Sequence, residues 1–153
     1  MWEAFIAIDR DLANRIYLPM LQELVLVGFF TNLDAVKLDL PSLRRLVVEW
    51  RAVPSHIVVV PMVQPSEVHW VPDDKPYFRK DILRVADTVI RSFLLHYANS
   101  DCFSVPSFLK DNVLQVLKVL STDGVLPPKW RAVSFHDTSG SIERTRIDNI
   151  VRR

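Results

Sequence analysis

Residues 41–50, with the sequence PSLRRLVVEW, decide how the N-terminal part of the chain is interpreted. Its apolar residues repeat at i, i+3, i+4 and i+7, which is the spacing of one buried helix face: Leu43, Leu46, Val47 and Trp50. Proline is favoured in the first turn of a helix, so Pro41 is a suitable start. The stretch therefore predicts an amphipathic helix that begins at Pro41.

The residues before this stretch extend the helical interpretation. Phe5, Ile8, Leu12 and Ile16 are three or four positions apart, which predicts a first helix. Pro19 can open a second helix that ends near Gly28. Residues 24–30 are instead a candidate buried strand, because a short apolar run fits either structure. This alternative stays open on the sequence alone.

A proline-rich stretch follows, over residues 54–76. Proline fixes φ and lacks a backbone donor, so it ends helices and is confined to the edges of sheets. Between the prolines, residues 56–60 and 68–71 are rich in β-branched and aromatic side chains, which predicts two short strands. The stretch is also a candidate boundary that divides the chain into two parts.

The second part predicts further helices. Residues 81–97 keep a 3.6-residue apolar period over four turns, with Asp81 as the N-cap. Ser104 and Pro106 predict a short helix, and Asp111 caps the next, which Gly124 can end. Residues 130–135 are expected to form a strand, and residues 142–150 a last short helix.

Each part thus gives three helices and then a strand, without a residue-by-residue repeat between the two parts. This order resembles a winged-helix domain, and residues 113–135 carry most of the resemblance. The expected fold is a helix-rich α+β structure, either winged-helix-like or a single compact α+β domain of another topology. Residues 1–136 are assigned to that domain, and residues 137–153 to a basic C-terminal tail or short helix.

Composition limits the classes of function. The 153 residues carry 19 basic and 18 acidic side chains, so the whole chain attracts nucleic acid or anionic membranes little. The longest apolar run is far shorter than a membrane span requires. The chain has one cysteine, Cys102, which suits a reducing compartment. We expect a cytoplasmic or nuclear protein without a membrane span.

No motif in the sequence names a reaction. The four histidines and Cys102 lack the close pairs of a zinc site, so we expect no metal and no cofactor. The run Pro72-Asp73-Asp74-Lys75 is near a nuclease signature, but adjacent acids on a strand point to opposite faces. The run 137–140, DTSG, differs from the aspartic protease loop by one residue. No catalytic residue is assigned.

The remaining candidate is electrostatic. Seven basic residues lie on the predicted arginine-bearing helix or near the basic C-terminal end: Arg44, Arg45, Arg51, Lys129, Arg131, Arg144 and Arg146. They can contact phosphates or an acidic partner.

The first hypothesis is a non-enzymatic protein-binding or self-assembling protein: an adaptor, a complex subunit, or a small viral accessory or structural protein. The high apolar fraction, 49%, favours a homo-oligomer. The alternatives are a nucleic-acid-binding module that uses the seven basic residues, and a hydrolase or nuclease with an unrecognised site.

Overall fold

The computed structural model describes residues 16–28, 38–50, 64–72 and 75–152. In chain order, their strands are β1 (Ile16–Tyr17), β2 (Glu23–Gly28), β3 (Leu38–Asp39), β4 (Arg45–Trp50), β5 (Glu67–Val71), β6 (Cys102–Pro106), β7 (Ala132–His136) and β8 (Ile142–Arg146). Their helices are α1 (Pro76–His96), α2 (Lys110–Thr122) and α3 (Ile147–Val151), and a 3₁₀ turn (Ser107–Leu109) leads into α2.

Six of these strands form one mixed sheet in the order β2-β4-β5-β6-β7-β8. The first five are parallel, and β8 pairs antiparallel with β7. β1 and β3 form a separate parallel pair. The predicted helix-rich, winged-helix-like fold is therefore wrong, because the chain forms a six-stranded sheet interleaved with helices.

The first strands of the sheet follow one another at a constant interval. Glu23 aligns with Arg45, and Arg45 aligns with Glu67, so aligned residues are 22 positions apart. The β1–β3 pair has the same interval, since Ile16 aligns with Leu38. The chain therefore contains a 22-residue repeat, which a comparison of its two halves does not detect.

The repeat is visible in the side chains. Residues 18–26, LPMLQELVL, match residues 40–48, LPSLRRLVV, with apolar residues at five shared positions. Each copy begins with a turn that a backbone hydrogen bond closes, from Leu21 to Leu18 and from Leu43 to Leu40. The interval does not continue beyond β5, since Glu67 aligns with Cys102, which is 35 positions later.

One face of the sheet carries the hydrophobic core. Alternate strand residues such as Leu24, Leu46, Val68, Phe103 and Val133 are fully buried in one cluster with residues of all three helices. The ring of Phe93 in α1 lies 6.1 Å from Trp70 and 6.0 Å from Phe103, measured between ring centroids. We call this side the covered face.

The long predicted helices exist. α1 buries Val89, Ile90 and Phe93, but it begins at Pro76, so the predicted cap at Asp81 lies within it. α2 buries Val113, Val116, Leu117 and Leu120 as expected. Gly124 follows α2 with a φ of 70°, the left-handed conformation expected of a residue that ends a helix.

Two predicted helices are wrong, and a third begins later than expected. The segment after Pro41 forms β4, and the segment after Pro19 forms β2. Ser104 lies within β6, and the short helix expected there is the 3₁₀ turn Ser107–Leu109. In buried parallel strands both sides of the strand are apolar or small, so short runs also satisfy the helical spacing. The alternative strand at residues 24–30 is the better interpretation, since β2 covers most of that run.

Other predicted elements are placed as follows. The strands expected at residues 68–71 and 130–135 correspond to β5 and β7. In the last segment a strand, β8, precedes the short helix α3. The helix predicted from Phe5 to Ile16 and the strand at residues 56–60 lie outside the described residues. Among the described helices, none combines the length and the apolar character needed to cross a membrane.

Candidate functional site: the open face of the sheet

The second face of the sheet has no described helix packed against it, since all three described helices contribute to the core on the covered face. We call it the open face. Its residues, strand by strand, are Glu23, Val25 and Val27; Arg45, Val47 and Glu49; Glu67, His69 and Val71; Cys102, Ser104 and Pro106; Ala132, Ser134 and His136; and Ile142, Arg144 and Arg146.

A charged network lies on the first three strands of the open face. The Arg45 guanidinium donates through Nη1 to Glu23 Oε1 and through Nε to His69 Nε2, both at 3.2 Å. His69 Nε2 also lies 3.2 Å from Glu67 Oε2. A single ring nitrogen cannot accept from Arg45 and donate to Glu67 together, so protonation decides which contact is a hydrogen bond.

Burial keeps His69 in its neutral form. Desolvation lowers the pKa of His69 from its usual 6.5, and the charges of Arg45 and His136 act in the same direction. The hydrogen bond and the charge of Glu67 oppose this shift. The neutral ring can accept the Arg45 hydrogen bond, which therefore predominates near neutral pH.

The centre of the open face consists of small side chains, which we call the central patch. Cys102, Ser104, Ala132 and Ser134 on β6 and β7 are small and buried. Larger side chains flank them, with His69 on β5 and Arg144 on β8, and Arg144 lies directly across from Ser134. The four small side chains are only 1–8% exposed.

The central patch contains polar groups that contact one another or a histidine. The Ser104 hydroxyl is hydrogen-bonded to His136 Nε2, and the Cys102 thiol lies 3.7 Å from the Ser134 hydroxyl. The rings of His69 and His136 have centroids 6.0 Å apart, one on each side of Ser104. Burial raises the pKa of the Cys102 thiol, which therefore remains protonated at neutral pH.

The Ser104–His136 contact has the composition of a nucleophile–base pair. Ser104 is only 1% exposed, however, which leaves its hydroxyl little access to a substrate. Among the described residues, none is shown hydrogen-bonded to the other ring nitrogen of His136, as an orienting carboxylate would be. The contact is better explained as the satisfaction of a buried hydroxyl.

The structure separates the predicted basic residues. Arg45, Arg144 and Arg146 lie on the open face, but β4 and β8 are four strands apart, roughly 19 Å. Arg44 and Arg131 are exposed next to strand starts. Lys129 is in the loop before β7, 3.2 Å from Asn99. Arg51 lies outside the described residues.

The motifs that resemble catalytic loops do not form a site. Asp137 Oδ1 accepts hydrogen bonds from the Ser139 and Ser141 amides, which shapes the turn between β7 and β8. These bonds, with the Ser139 hydroxyl first among them, lower the pKa of Asp137. Asp73 and Asp74 lie outside the described residues. No cluster of three potential metal ligands occurs in the described part of the chain.

Sequence reasoning missed His69, Ser104, Ser134 and His136 as members of one surface. A signal exists, because the triplets V-H-W, F-S-V and V-S-F each place a polar residue between two apolar ones. In a strand that alternation directs the polar residue away from the core.

Comparison with known proteins adds no relative. Neither the models of known protein families nor the curated proteins and solved structures give a significant match.

Proposed function

We propose that this protein is a protein-binding module that holds a segment of a partner protein on the open face. The observation that carries the proposal is a sheet face on which no helix of the described residues packs. Parallel sheets are ordinarily covered on both faces. Here the second face bears a charged network and exposed valines, and no described helix packs on it.

The exposed apolar residues of this face support a macromolecular partner. Val27, Val71 and Ile142 are exposed on β2, β5 and β8, which spans the width of the sheet. They do not contribute to the core, and a folded chain gains nothing from their exposure. A partner segment laid across the sheet would cover them.

The charges of the open face favour a protein over a nucleic acid. Among its described residues, Glu23, Glu49 and Glu67 balance Arg45, Arg144 and Arg146, and Arg45 is paired with Glu23. A phosphate backbone is bound by a continuous basic surface. Binding of nucleic acid by the seven basic residues is therefore the weaker hypothesis.

The test is a selection of peptides from an unbiased display library, followed by binding to two matched variants. Val71 on the open face is 41% exposed, and Val119 on the outer side of α2 is 43% exposed. Val71→Arg should weaken the selected peptides about tenfold or more, because a long charged side chain occupies the face. Val119→Arg should leave their affinity unchanged.

Two results would contradict the proposal. One is a failure to select any peptide, and the other is selected peptides that bind Val71→Arg as well as the unsubstituted protein. Self-association is the competing use of the same surface. Light scattering that shows a particle of twice 17.7 kDa, reduced to the monomer by Val71→Arg, would assign the face to a second copy of the chain.

A further inference from the structure

The edge strand β8 gives the open face a second, distinct electrostatic region. Arg144 lies across from Ser134, and Arg146 lies across from Ala132, so both arginines lie beside the central patch. Among the described residues, Arg144 has no acidic partner within salt-bridge distance. Arg146 approaches Asp148 only to 4.0 Å, with both side chains mostly exposed. Such a contact holds the arginine weakly.

The charges on the other side of the central patch, on β2, β4 and β5, are already paired. There Arg45 is hydrogen-bonded to Glu23 and His69, and Glu67 adds a further acid. The Arg45 cation is therefore already neutralised within the protein. Among the described residues of the open face, the arginines of β8 are the cations that remain available to a partner.

The charge of Arg144 acts on the central patch. It acts on the Cys102 thiol two strands away, where it lowers the pKa against the larger effect of burial. Ser134, which is 8% exposed, lies between these two residues, and its hydroxyl is 3.7 Å from the thiol. Guanidinium groups carry a positive charge and donate hydrogen bonds, so this border suits an anionic group.

The spacing of the arginines sets the geometry of the ligand. Arg144 and Arg146 are two positions apart in a strand, so their side chains are about 7 Å apart along it, on the same face. The exposed side chain of Ile142 continues this row. An extended peptide that runs alongside matches the row when it carries two acids separated by one residue, with an apolar side chain two positions beyond.

We propose that the partner segment is an acidic extended peptide, with two alternate carboxylates against Arg144 and Arg146 and an apolar side chain against Ile142. This proposal rests on the proposed function and names the chemistry of its ligand. The basic row is confined to β8, and Glu67 lies across the central patch from it, on β5. This arrangement suits a peptide with local negative charge better than a nucleic acid, which is negatively charged along its whole length.

The experiment uses the peptides selected from the display library, synthesised with a fluorescent label. They should be enriched in two acids at alternate positions. The double variant Arg144→Glu, Arg146→Glu should weaken them about tenfold or more, and replacement of both peptide acids by lysine should restore binding to that variant. The control is Arg84→Glu, Arg91→Glu, two exposed arginines of α1, which should have no effect.

Separate results distinguish the two proposals. One result is that the selected peptides bind Val71→Arg weakly but show no enrichment in acids and bind the double variant normally. That result would overturn the acidic ligand and leave the proposed binding face intact. Peptides indifferent to Val71→Arg would overturn the binding face itself. Binding of a labelled single-stranded RNA at physiological salt, lost in the double variant, would replace the acidic peptide with a nucleic acid. Circular dichroism and thermal unfolding establish that each variant is folded.

Discussion

The two faces of the sheet differ in what their side chains do, although the same strands supply both. On β6, Phe103 is fully buried among α1 and α2 side chains, whereas the next residue, Ser104, is bonded to a histidine on the open face. On β5, Val68 belongs to the core and His69 to the charged network. We therefore expect stability to depend mainly on the covered face.

This contrast follows from the alternation of side chains along each strand. Successive residues of a strand point to opposite faces of the sheet, so one set packs under the helices and the next set does not. The second set includes charged, small and apolar side chains, because it is not required to fill the core.

The largest expected effect is the difference in stability between substitutions on the two faces of one strand, β6. Phe103→Ala removes a fully buried ring from the core and should lower the free energy of unfolding by about 3–5 kcal/mol. Ser104→Ala removes one hydrogen bond and should cost about 0.5–1.5 kcal/mol. Urea denaturation of both variants measures the difference. Equal losses would show that the open face is packed as tightly as the covered face.

A smaller effect concerns pH. The pKa of His69 is lower in the folded protein than its usual 6.5, mainly because burial disfavours the imidazolium. The unfolded chain therefore takes up the proton first as the pH falls. The stability that neutral His69 contributes is complete above pH 6.5 and is lost as the pH falls through the folded-state pKa.

His69→Gln should remove this part of the pH dependence. The free energy of unfolding of the wild type should fall more steeply than that of the variant as the pH is lowered from neutral. The groups that face His69, namely Arg45, Glu67 and His136, are present in both proteins. Parallel curves for the two proteins would contradict the account of the charged network.

The sequence predicts some elements well and others poorly for identifiable reasons. α1 and α2 are long enough for the helical period to exclude a strand. In β4, Leu46, Val47 and Val48 are all apolar, so the run fits both periods, and the helical interpretation neglects the two adjacent β-branched residues. The similarity of the two segments 22 residues apart, around Leu24 and Leu46, is the feature of the sequence that indicates two equivalent strands.

The candidate site is harder to predict from the sequence than the fold. Arg45, Arg144 and Arg146 are recognisable in the sequence as charged, but their common face depends on strand register. The contact between Ser104 and His136 joins residues 32 positions apart on neighbouring strands. Nothing local in either segment indicates the other, because long-range strand pairing brings them together.

The most direct test of the two-faced sheet is the labelling of single cysteines. In a Cys102→Ser background, cysteine replaces Leu26 or Val68 on the covered face, and Val27 or Val71 on the open face. A maleimide should label positions 27 and 71 rapidly in the folded protein, and positions 26 and 68 only as it unfolds. Protection of positions 27 and 71 equal to that of 26 and 68 would contradict an open face.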